Sequence, residues 1–185
     1  YVGGMPEAVS AFLERGLLED ARKVQLEILN GYERDVSKHL SRTETEYALA
    51  AWKSIPSHLG RENKKFVFSH IAQGARAKNY RSGITWLTQA GITEIVRRIS
   101  KPGMPLRPYA DDSAFKLFLV DVGLLGAMAQ LDKEAAIGGN EIFEEFKGSL
   151  TEQYVCQQLV SDCGLTPYYW SAENSSGEID FLVQK

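Results

Sequence analysis

The stretch Tyr80-Arg81-Ser82-Gly83-Ile84-Thr85-Trp86-Leu87-Thr88-Gln89-Ala90-Gly91-Ile92-Thr93-Glu94-Ile95-Val96-Arg97-Arg98-Ile99-Ser100-Lys101-Pro102-Gly103 decides how this chain is read. Its first half has helical spacing. Ile84, Trp86 and Leu87 can face inward from a helix expected over Tyr80–Ala90, and Gly91 caps it. From Ile92 to Ile99 the residues are β-rich and predict a strand, with Lys101-Pro102-Gly103 as a turn. Leu106 to Tyr109 is the expected return strand. Upstream, Phe66-Val67-Phe68 reads as a short extended or helix-entry segment, followed by Gly74. Helix, tight turn, helix and two-stranded ribbon is the order of a winged helix-turn-helix, expected over residues 60–113.

Charge singles out the same region. Residues 61–107 hold ten Lys/Arg (Arg61, Lys64, Lys65, Arg76, Lys78, Arg81, Arg97, Arg98, Lys101 and Arg107) against Glu62 and Glu94, a local +8. The whole chain carries −3, so the remainder carries −11. Clustered cations that neutralise phosphates dominate nucleic-acid affinity. Arg76, Lys78, Asn79 and Arg81 lie before and within the first turn of the expected recognition helix, where base and phosphate contacts normally arise. Arg97, Arg98 and Lys101 belong to the ribbon and its turn. DNA is the expected partner, with a basic surface docked on the protein's own acidic parts as the alternative.

Outward toward the N-terminus, residues 1–59 read as helices. Pro6 suits the first turn of a helix through Ala8, Val9, Phe12 and Leu13, which Gly16 ends. A longer helix is expected over Leu18–Leu40, with Ala21, Val24, Leu26, Ile28 and Leu29 as a broken apolar stripe. Thr43-Glu44-Thr45-Glu46 resembles a cap for a third helix carrying Tyr47, Leu49, Ala50 and Trp52, and Ile55-Pro56 ends or kinks it.

Toward the C-terminus, residues 114–185 alternate strand and helix. Phe115–Val120 is an apolar strand broken by Lys116, and Asp121 then caps a helix through Leu124, Leu125 and Met128. A loop with Gly138-Gly139 precedes a long helix over Phe143–Asp162, whose buried side is expected to include Leu150, Tyr154, Val155, Leu159 and Val160. Tyr168-Tyr169-Trp170 and Glu178–Val183 read as a hairpin across Asn174-Ser175-Ser176-Gly177. A long helix followed by paired strands is the opening of an α/β nuclease-like core, so the fold class expected is α+β.

Four segments carry a family resemblance: Val2-Gly3-Gly4-Met5-Pro6-Glu7, Lys116-Leu117-Phe118-Leu119-Val120-Asp121-Val122-Gly123-Leu124-Leu125, Lys147-Gly148-Ser149-Leu150-Thr151-Glu152 and Gly177-Glu178-Ile179-Asp180-Phe181-Leu182-Val183. In that order they resemble the C-terminal region of a bacterial and archaeal family of predicted AAA-type ATPases. There, a P-loop domain is followed by a winged helix and a nuclease-like domain of the PD-(D/E)XK type. The resemblance implies ATP and Mg²⁺ for an upstream ATPase domain, which would also be a partner, and a homo-oligomer as a further expectation. It also implies a Mg²⁺ site in which Glu152 supplies a helix carboxylate and Asp180 a strand carboxylate, the hard oxygen ligands that activate a water. Glu178 alternates with Asp180 and is a third candidate. Lys185 does not complete Glu-x-Lys, because Val183 stands two residues before it. The chain itself has no Gly-x-x-x-x-Gly-Lys-Ser/Thr, so it is expected to bind no ATP and to be non-catalytic alone. An ATP-coupled nuclease, or a pure docking module, is the alternative for the intact protein.

The totals agree with a globular domain: 44% hydrophobic and 24% charged residues. No apolar run approaches the ~18 residues of a membrane span, and a cytoplasmic location without membrane contact is expected. Both ends read as cuts, at Tyr1 and within the strand pattern at Val183-Gln184-Lys185. Cys156 and Cys163 are expected to share a buried helix face as free thiols. His39, His58 and His70 have no second ligand at metal spacing, and each is expected to be structural.

Overall fold

The computed structural model describes residues 1–138, 144–172 and 177–184. The expected helix start at Phe143, the loop residue Gly139, the turn residues Asn174, Ser175 and Ser176, and Lys185 lie outside them.

Local rules account for the helices at the front of the chain. Pro6 opens α1 (Pro6–Arg15), where its missing N–H is not needed, and Gly16 ends it at φ 68° with its N–H donated to the Phe12 carbonyl. Next comes α2 (Leu18–His39). The cap of α3 (Arg42–Lys53) sits earlier than the Thr43–Glu46 run suggested. Ser41 accepts the Glu44 N–H, and the Glu44 carboxylate accepts the Ser41 N–H, a reciprocal pair that needs a three-residue spacing. A single turn, α4 (Ile55–Leu59), follows with Pro56 in its first turn. The stripe expected on α2 is also corrected. Leu26 is exposed, whereas Gln25 is buried because its amide serves the backbone carbonyls of Tyr1 and Val2 at 2.9 and 2.7 Å. Leu13 of α1 is likewise exposed.

α5 (Ala77–Gln89) lies tightly on α3. A Cβ on Gly83 would stand 2.7 Å from the Ala48 Cβ, so only glycine permits this approach. Tyr80 packs edge-on to Tyr47, with ring centroids 4.9 Å apart. β1 (Thr93–Ile99) then pairs antiparallel with β2 (Ala110–Leu119), Thr93 opposite Leu119, with an irregularity between Arg97 and Arg98. The return strand therefore starts later than expected. Leu106 precedes a 3-10 turn at Arg107–Tyr109, because Pro105 and Pro108 have no N–H for the ladder.

Asp121 caps α6 (Val122–Met128) by accepting the Leu124 N–H. Beyond it come α7 (Lys133–Gly138) and α8 (Glu144–Ser161). The last two strands are β3 (Tyr168–Ser171) and β4 (Glu178–Leu182), paired antiparallel as expected. β3 also runs parallel to β1, giving one mixed sheet in the order β2-β1-β3-β4. The protein is an α+β fold. β2 runs through the expected boundary at 113/114, and the pairing of β1 with β3 carries the ribbon and the C-terminal hairpin in one sheet.

The core runs from α3 to α8 through this sheet, with Trp52, Leu59, Leu87, Phe115, Phe118, Leu119, Leu124 and Cys156 inside it. Burying each large apolar side chain stabilises the fold by ~1.5–3 kcal/mol. The inner face of α8 differs from the apolar set expected. Tyr154 and Val155 are exposed, while Ser149, Gln153 and Cys156 are buried. Gln153 points inward because it closes a pair of hydrogen bonds with the backbone of Leu119, accepting its N–H at 2.9 Å and donating to its carbonyl at 2.6 Å. Cys163 is exposed rather than buried; it lies two residues past the last residue of α8. Among the described residues, no helix is long and apolar enough to cross a membrane.

Candidate functional site

α5 begins with positive charge. Arg76 stands at its N-cap without a side-chain capping bond, no acidic residue occupies its first turn, and Arg76, Lys78 and Arg81 are exposed. A helix N-terminus carries about half a unit of positive charge, so cations there are locally unfavourable and an anion is favoured. Within residues 61–107, Lys64, Arg97 and Arg98 have carboxylate partners. The other seven basic residues of that stretch have none among the described residues. Elsewhere on the surface, Arg15, Lys38, Arg42, Lys53 and Lys133 all pair with carboxylates.

A groove of about 430 Å³ separates α5 from the ribbon. Arg81 reaches it from the helix and Arg97 from β1, over a floor that includes Phe68, Ile84, Ile95 and Phe115. Arg97 donates to Asp112 at 2.7 Å, and Arg98 to Asp111 at 3.0 Å. Hydrogen bonds from Ser113, then the Arg98 guanidinium, hold the Asp111 carboxyl below the usual range. Lys101 sits 5.1 Å from the Tyr109 ring centroid. Asn79 differs from its neighbours on α5: its amide donates to the Tyr47 hydroxyl at 3.3 Å and holds α5 to α3. The structure thus brings Arg81 and Arg97 to one groove and turns Asn79 inward.

The second cluster forms around a residue that strand patterning passes over. Lys116 on β2 has a side chain only 2% exposed, and its ammonium lies 3.3 Å from Glu152, 2.5 Å from Glu178 and 3.0 Å from Asp180. Lys64 forms a second ion pair with Glu152. Burial pushes the Lys116 ammonium down, but Glu152, then the hydrogen bonds to Glu178 and Asp180, outweigh it and hold its pKa above the ordinary lysine value. Glu152 is 14% exposed, so it is an interior carboxylate rather than a surface one. Glu178 and Asp180 face the same ammonium, as their alternation on β4 anticipates.

Glu152 and Asp180, the pair read as metal ligands, therefore do meet, but on a lysine. Among the described residues, no group of three His, Cys, Asp or Glu side chains is arranged to hold a metal ion. Lys116 and Lys64 bring two positive charges to the three carboxylates, which leaves one negative charge over. The one signal that could have found Lys116 is a lysine interrupting an otherwise apolar strand. A buried cation is rare unless it is paired.

Two of the three histidines make close internal contacts. The His58 ring nitrogens lie 2.9 and 3.0 Å from the Ser54 and Val67 carbonyls, and His39 stacks on Trp86. Asp121 does more than cap α6. Its second oxygen accepts the Gly4 N–H at 2.6 Å and the Gln157 amide at 3.1 Å. That fastens the Val2-Gly3-Gly4 segment to α6 and α8.

Residues 1–135 match the model of a family described as a domain of unknown function, DUF8612. The chain belongs to that family. No curated protein and no solved structure matches it. The DUF8612 segment contains α5, the β1–β2 ribbon and Lys116, and so the whole basic surface. α8 and β4, which bring Glu152, Glu178 and Asp180, follow the DUF8612 segment.

Proposed function

We propose that the chain is a nucleic-acid-binding module that lays the start of α5 against a phosphate backbone, with the β1–β2 ribbon alongside. The observation that carries this reading is the set of exposed, unpaired cations Arg76, Lys78 and Arg81 on a helix start that has no acidic residue to offset them. Those charges are unfavourable for the helix by itself and favourable only beside an external anion. The succession α3, α5, β1, β2 fits a winged helix-turn-helix, in which α5 would be the recognition helix.

The order α8, β3, β4 fits the opening of a nuclease-like core. With Lys116 among its carboxylates, that part is better suited to holding the sheet together than to cleaving a phosphodiester. The resemblance to the C-terminal region of AAA-type ATPases agrees with a binding role. An upstream ATPase would change how this module holds its target.

Fluorescence anisotropy with labelled duplex and single-stranded DNA, through a salt series, tests the reading. Binding should weaken steeply as salt rises. Replacing Arg76, Lys78 and Arg81 together by Ala should remove most of it and lower the slope of log K against log salt by about 2.7 on duplex, at roughly 0.9 per phosphate contact. Binding that is absent at low salt, or unchanged in the triple variant, overturns the proposal.

A further inference from the structure

A cavity of about 350 Å³ adjoins the Lys116 cluster through Glu178 and is also lined by Glu62, Asn63, Lys65, Arg98 and Tyr169. Two of its lining side chains are left incomplete by the fold. The Tyr169 hydroxyl and the Arg98 Nε are buried and have no hydrogen-bond partner among the described residues. Tyr169 is only 2% exposed, so its hydroxyl cannot turn to bulk water for compensation. A buried donor without an acceptor costs ~1–3 kcal/mol, and two on residues that line one cavity are hard to explain by packing alone.

Each orphan is a donor in this setting. Burial pushes the Tyr169 hydroxyl up to about 12, so it stays protonated at neutral pH. Arg98 spends its Nη2 on Asp111, which leaves Nε–H free. Around them stand further donors. Lys65 has no carboxylate partner among the described residues. Asn63 uses its carbonyl oxygen to accept the Lys65 N–H at 3.0 Å, which leaves its NH₂ group open. Of the two carboxylates in the lining, Glu178 is drawn to Lys116 at 2.5 Å and Glu62 is solvent-exposed. A ligand that satisfies this set needs several acceptor oxygens on one centre and negative charge. The volume leaves room for a substituent on it.

We infer that this cavity between β1, β3 and the Glu62–Lys65 loop is a binding site for a phosphate monoester group, held by the Tyr169 hydroxyl, the Arg98 Nε and Lys65. The site is separate from the α5 surface and does not rest on the nucleic-acid reading. One chemistry can come from two sources, a small phosphorylated molecule or the phosphorylated end of a nucleic acid.

Isothermal titration calorimetry on the whole chain separates them with three probes: inorganic phosphate, a 5′-phosphorylated oligonucleotide, and the same oligonucleotide without its phosphate. Tyr169→Phe keeps the ring and removes only the hydroxyl, and Arg98→Lys keeps the charge beside Asp111 but removes Nε. The expected result is saturable binding of inorganic phosphate, weakened roughly tenfold or more in each variant, because hydrogen bonds to charged groups carry the larger share of such affinities. The Arg76/Lys78/Arg81→Ala variant should bind phosphate as the wild type does, which keeps this inference distinct from the DNA-binding proposal. A phosphorylated oligonucleotide that binds far more tightly than both other probes identifies a nucleic-acid end. Affinity no greater than that of inorganic phosphate identifies a small phosphorylated molecule. Wild type that binds neither phosphate probe, or a Tyr169→Phe variant that binds them unchanged, overturns the inference.

Discussion

Lys116 and the basic start of α5 present the same kind of charge in opposite circumstances. Lys116 is buried and surrounded by Glu152, Glu178 and Asp180, with more negative charge than it can balance alone. Arg76, Lys78 and Arg81 are exposed and have no carboxylate partner among the described residues. Taking a cation out of water costs several kcal/mol unless paired oxygens replace the water. An exposed cation pays no such penalty and can stay unpaired until a ligand arrives. The interior lysine therefore ties β2 to α8 and β4, while the helix-end cations stay open to the nucleic acid proposed for them.

The comparison breaks most visibly at Lys116. Lys116→Ala leaves three converging carboxylates without their central cation. Removing one partner of a buried pair costs ~3–5 kcal/mol. Glu178 and Asp180 are 35% and 52% exposed and can turn to water, so about 2–4 kcal/mol is expected here. Urea denaturation should show the lower midpoint; an unchanged midpoint would remove Lys116 from the framework.

Next in size is the seat of α5. Gly83→Val would drive a side chain into Ala48, and overpacking of this kind costs ~1–3 kcal/mol. Because it shifts α5 on α3, it should weaken DNA binding as well as stability. A variant that loses stability but binds DNA normally would show that the exact pose of the helix is unimportant.

The smaller effects sharpen the contrast. Asn79→Ala loses one hydrogen bond to Tyr47 and should cost about 0.5–1.5 kcal/mol in stability. Arg81→Ala should stay within about 0.5 kcal/mol of wild type in stability while weakening DNA binding. The two α5 residues, two positions apart, would then separate structure from recognition.

pH offers a further view of Lys116. Its pKa is raised in the folded state, so its contribution is fully present below the unfolded lysine value of about 10.4 and is lost as pH rises through the folded value. Denaturation midpoints measured from pH 8 to 11 should fall more for the wild type than for Lys116→Met.

Legibility in the sequence followed the range of the interactions. Helix limits at Pro6, Gly16 and Gly91, the β1 strand, the Asp121 cap and the final hairpin were all readable, because each depends on residues within a few positions. The Ser41–Glu44 cap was missed by two residues, since several Ser, Thr and Glu residues crowd the same place and only backbone geometry selects among them. Glu152, Glu178 and Asp180 could be named as a group from the resemblance of their segments. Their shared partner could not, because Lys116 lies 36 residues before Glu152 and 64 before Asp180.

By itself, then, the sequence determined the α+β content, the succession of helix, helix and ribbon, and the concentration of positive charge in residues 61–107. Those follow from local periodicity, turn chemistry and composition. Only the tertiary structure decided which of those cations are paired among the described residues, that β1 and β3 join in one sheet, and that Arg98 and Tyr169, each with a buried unpartnered donor, line one cavity. Whether a charge is paired or a donor left over depends on side chains brought together from distant positions, and no short window of sequence contains both partners.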